Sequence, residues 1–271
     1  MNKILVLLLI VSSALGISSC KAQNKETMVL IKTEFGDMKL KLYDDTPEHK
    51  KNFLKLVNED FYDDVLFHRV IKNFMVQGGD PDSKNAQPGA RLGGGSPDYT
   101  IPAEINPKHF HKKGALAAAR KGGPSNPEKR SSSSQFYIVQ GDLVSEGLLD
   151  TMETMVNNRA KNECFKKCFQ DANEELNEFR KNNDEQGFNI RVAKIREEAD
   201  SIWTQQEHFS YTAEQREAYT TIGGYPSLDH EYTVFGELVE GFDVLDKIAA
   251  VETDKYDRPI SDIKMTMEVI K

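Results

Sequence analysis

Hydrophobic and polar positions alternate with period two in several short stretches of this chain and recur at helical spacing in longer ones. Val29, Ile31 and Thr33 alternate with Leu30 and Lys32, and Met38, Leu40 and Leu42 with Lys39 and Lys41, which predicts a hairpin over 28–43 turning at Gly36-Asp37. Thr46-Pro47-Glu48 then predicts a helix start, with a capping hydroxyl, a proline where no N–H is missed and an early acid. The apolar face of that helix carries Phe53, Leu56 and Val57. Phe67, Arg69 and Ile71 alternate as a strand, Lys72-Asn73 turn, and Phe74-Met75-Val76-Gln77 continue until Gly78-Gly79. In Gln135-Phe136-Tyr137-Ile138-Val139 the alternation puts Gln135 and Tyr137 on one face and Phe136 and Ile138 on the core face. A helix from Gly241 is expected to bury Phe242, Leu245 and Ile248. A last strand sets Ile263, Met265, Met267 and Val269 against Lys264, Thr266 and Glu268.

Between 143 and 221 the alternation gives way to helical stripes. Phe165, Phe169, Ala172, Leu176 and Phe179 form one, and Phe188, Val192, Ile195, Ala199 and Ile202 another. Asn182-Asn183-Asp184 and Gly187 separate them, so an antiparallel helical hairpin is expected, followed by a short helix from Thr212 with Gln215 completing a capping box. The stripes can bury each other, so the segment is expected to stand beside the rest as an appendage without chemistry of its own.

With 271 residues, 38% hydrophobic and 29% charged, the chain can build a core. A net charge of −8 and no basic stripe interleaved with aromatics argue against a nucleic-acid surface. Residues 1–19 read as a signal segment: Lys3, then the apolar run Ile4–Val11, too short for the ~20 residues that span a bilayer. Ile17-Ser18-Ser19-Cys20 resembles a bacterial lipobox, which implies a lipidated Cys20, a tether to Thr27 and a place in the bacterial cell envelope facing the periplasm.

Other motifs lead to blander readings. Gly93-Gly94-Gly95-Ser96 lacks the Gly-Lys-Ser/Thr of a phosphate loop and reads as a surface loop. His109 and His111 lack a third ligand at useful spacing and read as polar or loop-anchoring residues, and Cys164 and Cys168 read as small residues on a buried helix face. Neither a metal nor a cofactor is expected.

The stretch from Phe67 to Asp80 gathers a guanidinium, soft apolar side chains and an amide, which suits a proline ring beside a carbonyl oxygen. It closely resembles the cyclophilin signature F-H-R-x-I-x-x-F-M-x-Q-G-G-D. The resemblance continues through Gly114–Arg120, Gln135–Val139 and Leu228–Gly236, and it covers 28–142 and 222–271, leaving 143–221 as an insert. It implies a mainly β fold, a closed eight-stranded antiparallel barrel with a helix at each end. It also implies a monomeric peptidyl-prolyl cis–trans isomerase acting on proline-containing clients. Arg69, Phe74 and Gln77 would be its catalytic residues, and Met75, Ala119, Arg120, Gln135, Tyr137, Leu228 and Tyr232 its substrate groove. Ser227 stands where many relatives carry a tryptophan, so cyclosporin-type inhibition is not carried over; Arg120 replaces their asparagine, which bears on the residue preferred before proline, and His230 takes a glycine position at the groove rim. The rival expectation is a non-catalytic module that holds clients through the insert.

Overall fold

The computed structural model describes residues 26–270, so Cys20 and the signal segment lie outside the described residues. Strands β1 (Thr27–Thr33) and β2 (Gly36–Leu42) form the first hairpin. Its tight turn is Glu34-Phe35 rather than Gly36-Asp37, and Gly36 takes a φ of +123 that suits glycine as it opens β2. Helix α1 (Pro47–Asn58) follows, then β3 (Val65–Ile71), β4 (Met75–Gly78), β5 (Thr100–Ile101), β6 (Ala115–Ala118), β7 (Ser131–Ser132) and β8 (Phe136–Val139). Helices α2 (Glu146–Asp171), α3 (Asn173–Lys181), α4 (Glu185–Thr204) and α5 (Ala213–Thr221) come next, before β9 (Val234–Glu240), α6 (Phe242–Ala249) and β10 (Lys264–Ile270). Eight strands close a barrel in the order β1-β10-β3-β4-β8-β6-β9-β2, and every pairing is antiparallel; β5 and β7 make a separate two-stranded ribbon. Closure leaves the barrel itself without an open edge.

The alternation sorts side chains as expected. Val70, Val76, Ile138 and Leu116 face one another across adjacent strands and join one interior core with Phe53, Leu56 and Val57 of α1 and Val244, Leu245 and Ile248 of α6. Three local expectations fail. The Thr46 hydroxyl makes no capping bond; the Glu104 carboxylate instead accepts the N–H groups of Glu48 and His49 at 3.1 and 3.0 Å, capping α1 from a distant loop. Phe242 is 37% exposed and lies over Gly114, where an added Cβ would come within 2.8 Å of its ring. Val269 is 39% exposed near the end of β10.

The insert has two parts. Its distal hairpin buries Ala172, Leu176 and Ile195 among Phe165, Phe169, Phe188 and Val192, so the two stripes do cover each other. Cys164 and Cys168 are free and half-buried there. Its root does not stand apart: Val144, Leu149, Tyr211, Ala218 and Tyr219 pack with Phe110 of the barrel's loops. Arg216 of α5 binds Glu146, Asp150 and Glu153 of α2, and Asn157 clips Phe209 through both its main-chain groups, while Thr212 and Gln215 form the expected capping box. Where the chain leaves and rejoins the barrel, Gly224 exchanges main-chain bonds with Asp142, and a Cβ on Gly141 would sit 2.5 Å from the Gly224 Cα. Only glycine permits that approach.

Candidate active site

The row of side chains beside the interior one points outward. Arg69 of β3 lies opposite Gln77 of β4, Gln77 opposite Tyr137 of β8, and Tyr137 opposite Ala117 of β6. Met75, two residues from Gln77, shares their face, because a strand repeats its faces every second residue. Outside the barrel these residues form a second apolar cluster: Met75, Ala117, Tyr137 and Val234, with Phe74, Ala119, Leu228 and Tyr232 half-buried against it. Phe74 closes the β3–β4 turn, which Asn73 makes possible by adopting a φ of +61. Its carbonyl accepts the N–H groups of Gln140 and Gly141, and its ring packs on Tyr225 at 4.3 Å.

A cavity of about 300 Å³ opens over this cluster. Nine of the ten residues expected to form the site line it: Arg69, Phe74, Met75, Gln77, Ala119, Arg120, Tyr137, Leu228 and Tyr232. Gln135 sits beside it, in an adjoining groove of about 850 Å³ that shares Gln77, Ala119 and Arg120. The polar groups form a ladder. Arg69 donates from Nη1 to Gln77 Oε1 at 3.4 Å, Gln77 from Nε2 to Gln135 Oε1 at 3.0 Å, and Gln135 to the carbonyls of Gly93 and Gly95. The glycine loop is therefore a tethered wall of the groove. Arg69 also places Nε 3.5 Å from Asp257 Oδ2, and its side chain remains 40% exposed. Held loosely at two corners, the guanidinium keeps further N–H donors for a ligand. Arg120 is committed elsewhere: it donates to the carbonyl and carboxylate of Glu231 and lies over the Tyr232 ring at 4.6 Å.

Several residues at the site had no local signal. Ala90, Leu92, Tyr256 and Arg258 line the cavity from stretches without periodicity. Arg258, 3% exposed, donates to the carbonyls of Gln87 and Ala90 and to Asp262, fixing one loop with another. His68 lies within the signature stretch yet carried no expected role; it is buried and among the described residues has no partner for either ring nitrogen. Burial pushes its imidazole down to about 4, so it is neutral at physiological pH. His111 is wholly buried behind the cavity, with Nδ1 2.9 Å from Asp229 and Nε2 3.0 Å from the Tyr137 hydroxyl. Burial holds the Tyr137 phenol well above its usual range, so it stays protonated and donates. His109 stacks on Tyr43 and pairs with Asp45. Among the described residues no three potential ligands cluster to hold a metal.

The arrangement offers an apolar seat with the Arg69 guanidinium at its lip. The family model for cyclophilin type peptidyl-prolyl cis-trans isomerases matches residues 28–155 and 153–269. The chain belongs to this family. The cyclophilin is 30% identical over 242 residues to a Staphylococcus epidermidis protein named as a peptidyl-prolyl cis-trans isomerase, covering 89% of this chain and 90% of the relative. It is 32% identical over 246 residues to a Streptococcus pyogenes protein named as a bifunctional phosphatase/peptidyl-prolyl cis-trans isomerase; that match covers 89% of this chain but 38% of the longer relative. A crystal structure of a Cryptosporidium parvum cyclophilin shares its fold with a TM-score of 0.52 at 21% identity, covering 91% of this chain and 99% of that one.

Proposed function

We propose that this cyclophilin catalyses rotation about X-Pro bonds in exported polypeptides and so assists their folding at the cell envelope. One observation carries the catalytic reading: Arg69, Phe74, Met75, Gln77, Tyr137 and Leu228, scattered over 160 residues of chain, line a single cavity. Rotation breaks amide resonance against a barrier of ~18–20 kcal/mol and forms or cleaves no bond to carbon, so neither nucleophile nor metal is required. Phe74, Met75, Tyr137 and Leu228 hold the ring while the acyl side turns. The N–H groups of Arg69 stabilise the prolyl carbonyl and the nitrogen lone pair that delocalisation releases in the transition state. Ala119 spends its own N–H on the Gln135 carbonyl, which leaves main-chain recognition of the residues before proline to Arg120.

Arg69→Ala is expected to lower turnover of an X-Pro tetrapeptide by ~10²–10³ while the barrel still melts cooperatively, the usual loss for one oriented electrostatic donor. Near-normal turnover would overturn the mechanism, and an inactive wild type that still holds unfolded clients would make the chain a binding module. The envelope location rests on the lipobox resemblance at Cys20. Cys20→Ser should abolish acylation and membrane retention, and an unmodified Cys20 in a membrane-bound wild type would refute the anchor.

A further inference from the structure

The insert reaches the proline seat through a buried chain of hydrogen bonds. Tyr219, in the last turn of α5, is fully buried and donates from its hydroxyl to Asp229 Oδ2 at 2.6 Å. Asp229 Oδ1 accepts the main-chain N–H of His111 and its Nδ1–H, both at 2.9 Å. The tautomer that satisfies this carboxylate leaves a lone pair on Nε2, and the Tyr137 hydroxyl donates to it at 3.0 Å. The Asp229 and His111 side chains are 5% and 1% exposed, so water does not compete for these bonds. A phenylalanine in place of Tyr137 would be held by packing alone; here the ring that walls the proline seat is fixed at its far end as well.

The main chain runs alongside. The Tyr219 carbonyl accepts the Val144 N–H, and the chain leaving α5 donates from Tyr225 to the His111 carbonyl. The Tyr225 ring in turn packs on that of Phe74, another residue lining the cavity. Two walls of the cavity are thus braced against the segment that ends the insert.

We propose that Tyr219 is a positioning residue for the isomerase: through Asp229 and His111 it sets the orientation of Tyr137, so the root of the insert tunes how firmly proline is seated. This rests on reading the cavity as the proline seat. Tetrapeptide turnover by the wild type tests that reading separately, since an inactive wild type would refute the seat, whereas an active wild type indifferent to Tyr219 would refute only the relay.

Tyr219→Phe removes one hydroxyl and keeps the ring. The expected result is a three- to tenfold rise in KM for an X-Pro tetrapeptide with kcat within twofold, because seating contributes to ground state and transition state alike. Tyr137→Phe should give a rise of similar size. In the Tyr219→Phe/Tyr137→Phe double variant the second change should add less than twofold, since the relay then has no far end. Fully multiplicative effects, or a Tyr219→Phe enzyme with unchanged KM, would overturn the proposal. A purely structural role for Tyr219 would lower the melting temperature and leave KM of the folded enzyme alone. If Tyr219→Phe does not fold, the unaltered protein supplies the test: saturating tetrapeptide should shift the Tyr219 ring resonances in a tyrosine-labelled sample, and unmoved resonances would refute the coupling.

Discussion

Removing the insert in two different ways should give two different proteins. The first variant replaces 159–207 with a short Gly-Ser linker. It deletes the distal hairpin, whose core of Ala172, Leu176 and Ile195 is buried against its own phenylalanines, Cys168 and Val192. It keeps the Asn157–Phe209 clip, the Arg216 ion pairs and the cluster around Phe110 and Tyr219. The second variant replaces the whole of 143–221. That uncovers Phe110, which packs edge-on against Tyr219 at 5.5 Å, and takes from Asp229 the one donor to its Oδ2 among the described residues. Exposing a buried phenylalanine costs about 1.5–3 kcal/mol and orphaning a buried acceptor about 1–3 kcal/mol. The full deletion therefore loses roughly 3–6 kcal/mol out of the ~5–15 kcal/mol typical of a folded chain, while the distal one loses about 1 kcal/mol or less. At roughly 2–4 °C per kcal/mol, the full deletion should melt on the order of 10–20 °C lower.

The assay can watch the two parts separately. Trp203, the single tryptophan, lies in the distal hairpin, whereas the tyrosines at 137, 219, 225 and 232 report on the barrel and the root. In the wild type, tryptophan fluorescence should be lost at or below the temperature of the tyrosine near-ultraviolet transition. The distal deletion should keep that tyrosine transition and retain tetrapeptide turnover within about twofold, a free-energy change of about 0.4 kcal/mol. The packing thus sets the distal hairpin apart from the barrel and ties the root to it. If the distal deletion melts as low as the full one, or loses activity with it, the division drawn from the packing is wrong.

Two more perturbations probe the cavity. Asp257→Asn keeps a residue type at home at a φ of +62 and removes the charge beside Arg69 Nε. Both partners are half-exposed, so stability should change by under ~1 kcal/mol, while kcat/KM should fall about three- to tenfold as Arg69 loosens; an unchanged kcat/KM would show that Asp257 does not position it. Below about pH 6.5 the unfolded chain protonates His68, but the folded chain does not until about pH 4, so stability should fall as pH falls through that window. The loss attributable to His68 reaches about 3 kcal/mol by pH 4, and a His68 imidazole resonance titrating near 6.5 in the folded protein would refute it.

The parts of the site that could be read from the chain are those a single strand period controls. Arg69, Gln77 and Tyr137 fall opposite one another in register because each strand shows alternate residues to the same face, and the interior row shows why a one-residue slip is forbidden: it would turn Val70, Val76 and Ile138 out of the core. The same local logic made the Thr212–Gln215 capping box legible. It fails wherever a partner is distant in sequence. Glu104 caps α1 from 55 residues away, and nothing near Thr46 announces that its hydroxyl will be passed over. His111 weighed as a metal ligand in isolation looks unpartnered; its partners are Asp229, 118 residues on, and Tyr137. Arg258 has no local signal, and only its bonds to Gln87 and Ala90 show it building a cavity wall. Periodicity thus locates the row that lines the cavity but cannot locate what braces it, because a brace has no period. In this chain the bracing includes Tyr219, a residue contributed by the segment that interrupts the family pattern, which is why the insert's root cannot be divided from the chemistry by composition or spacing.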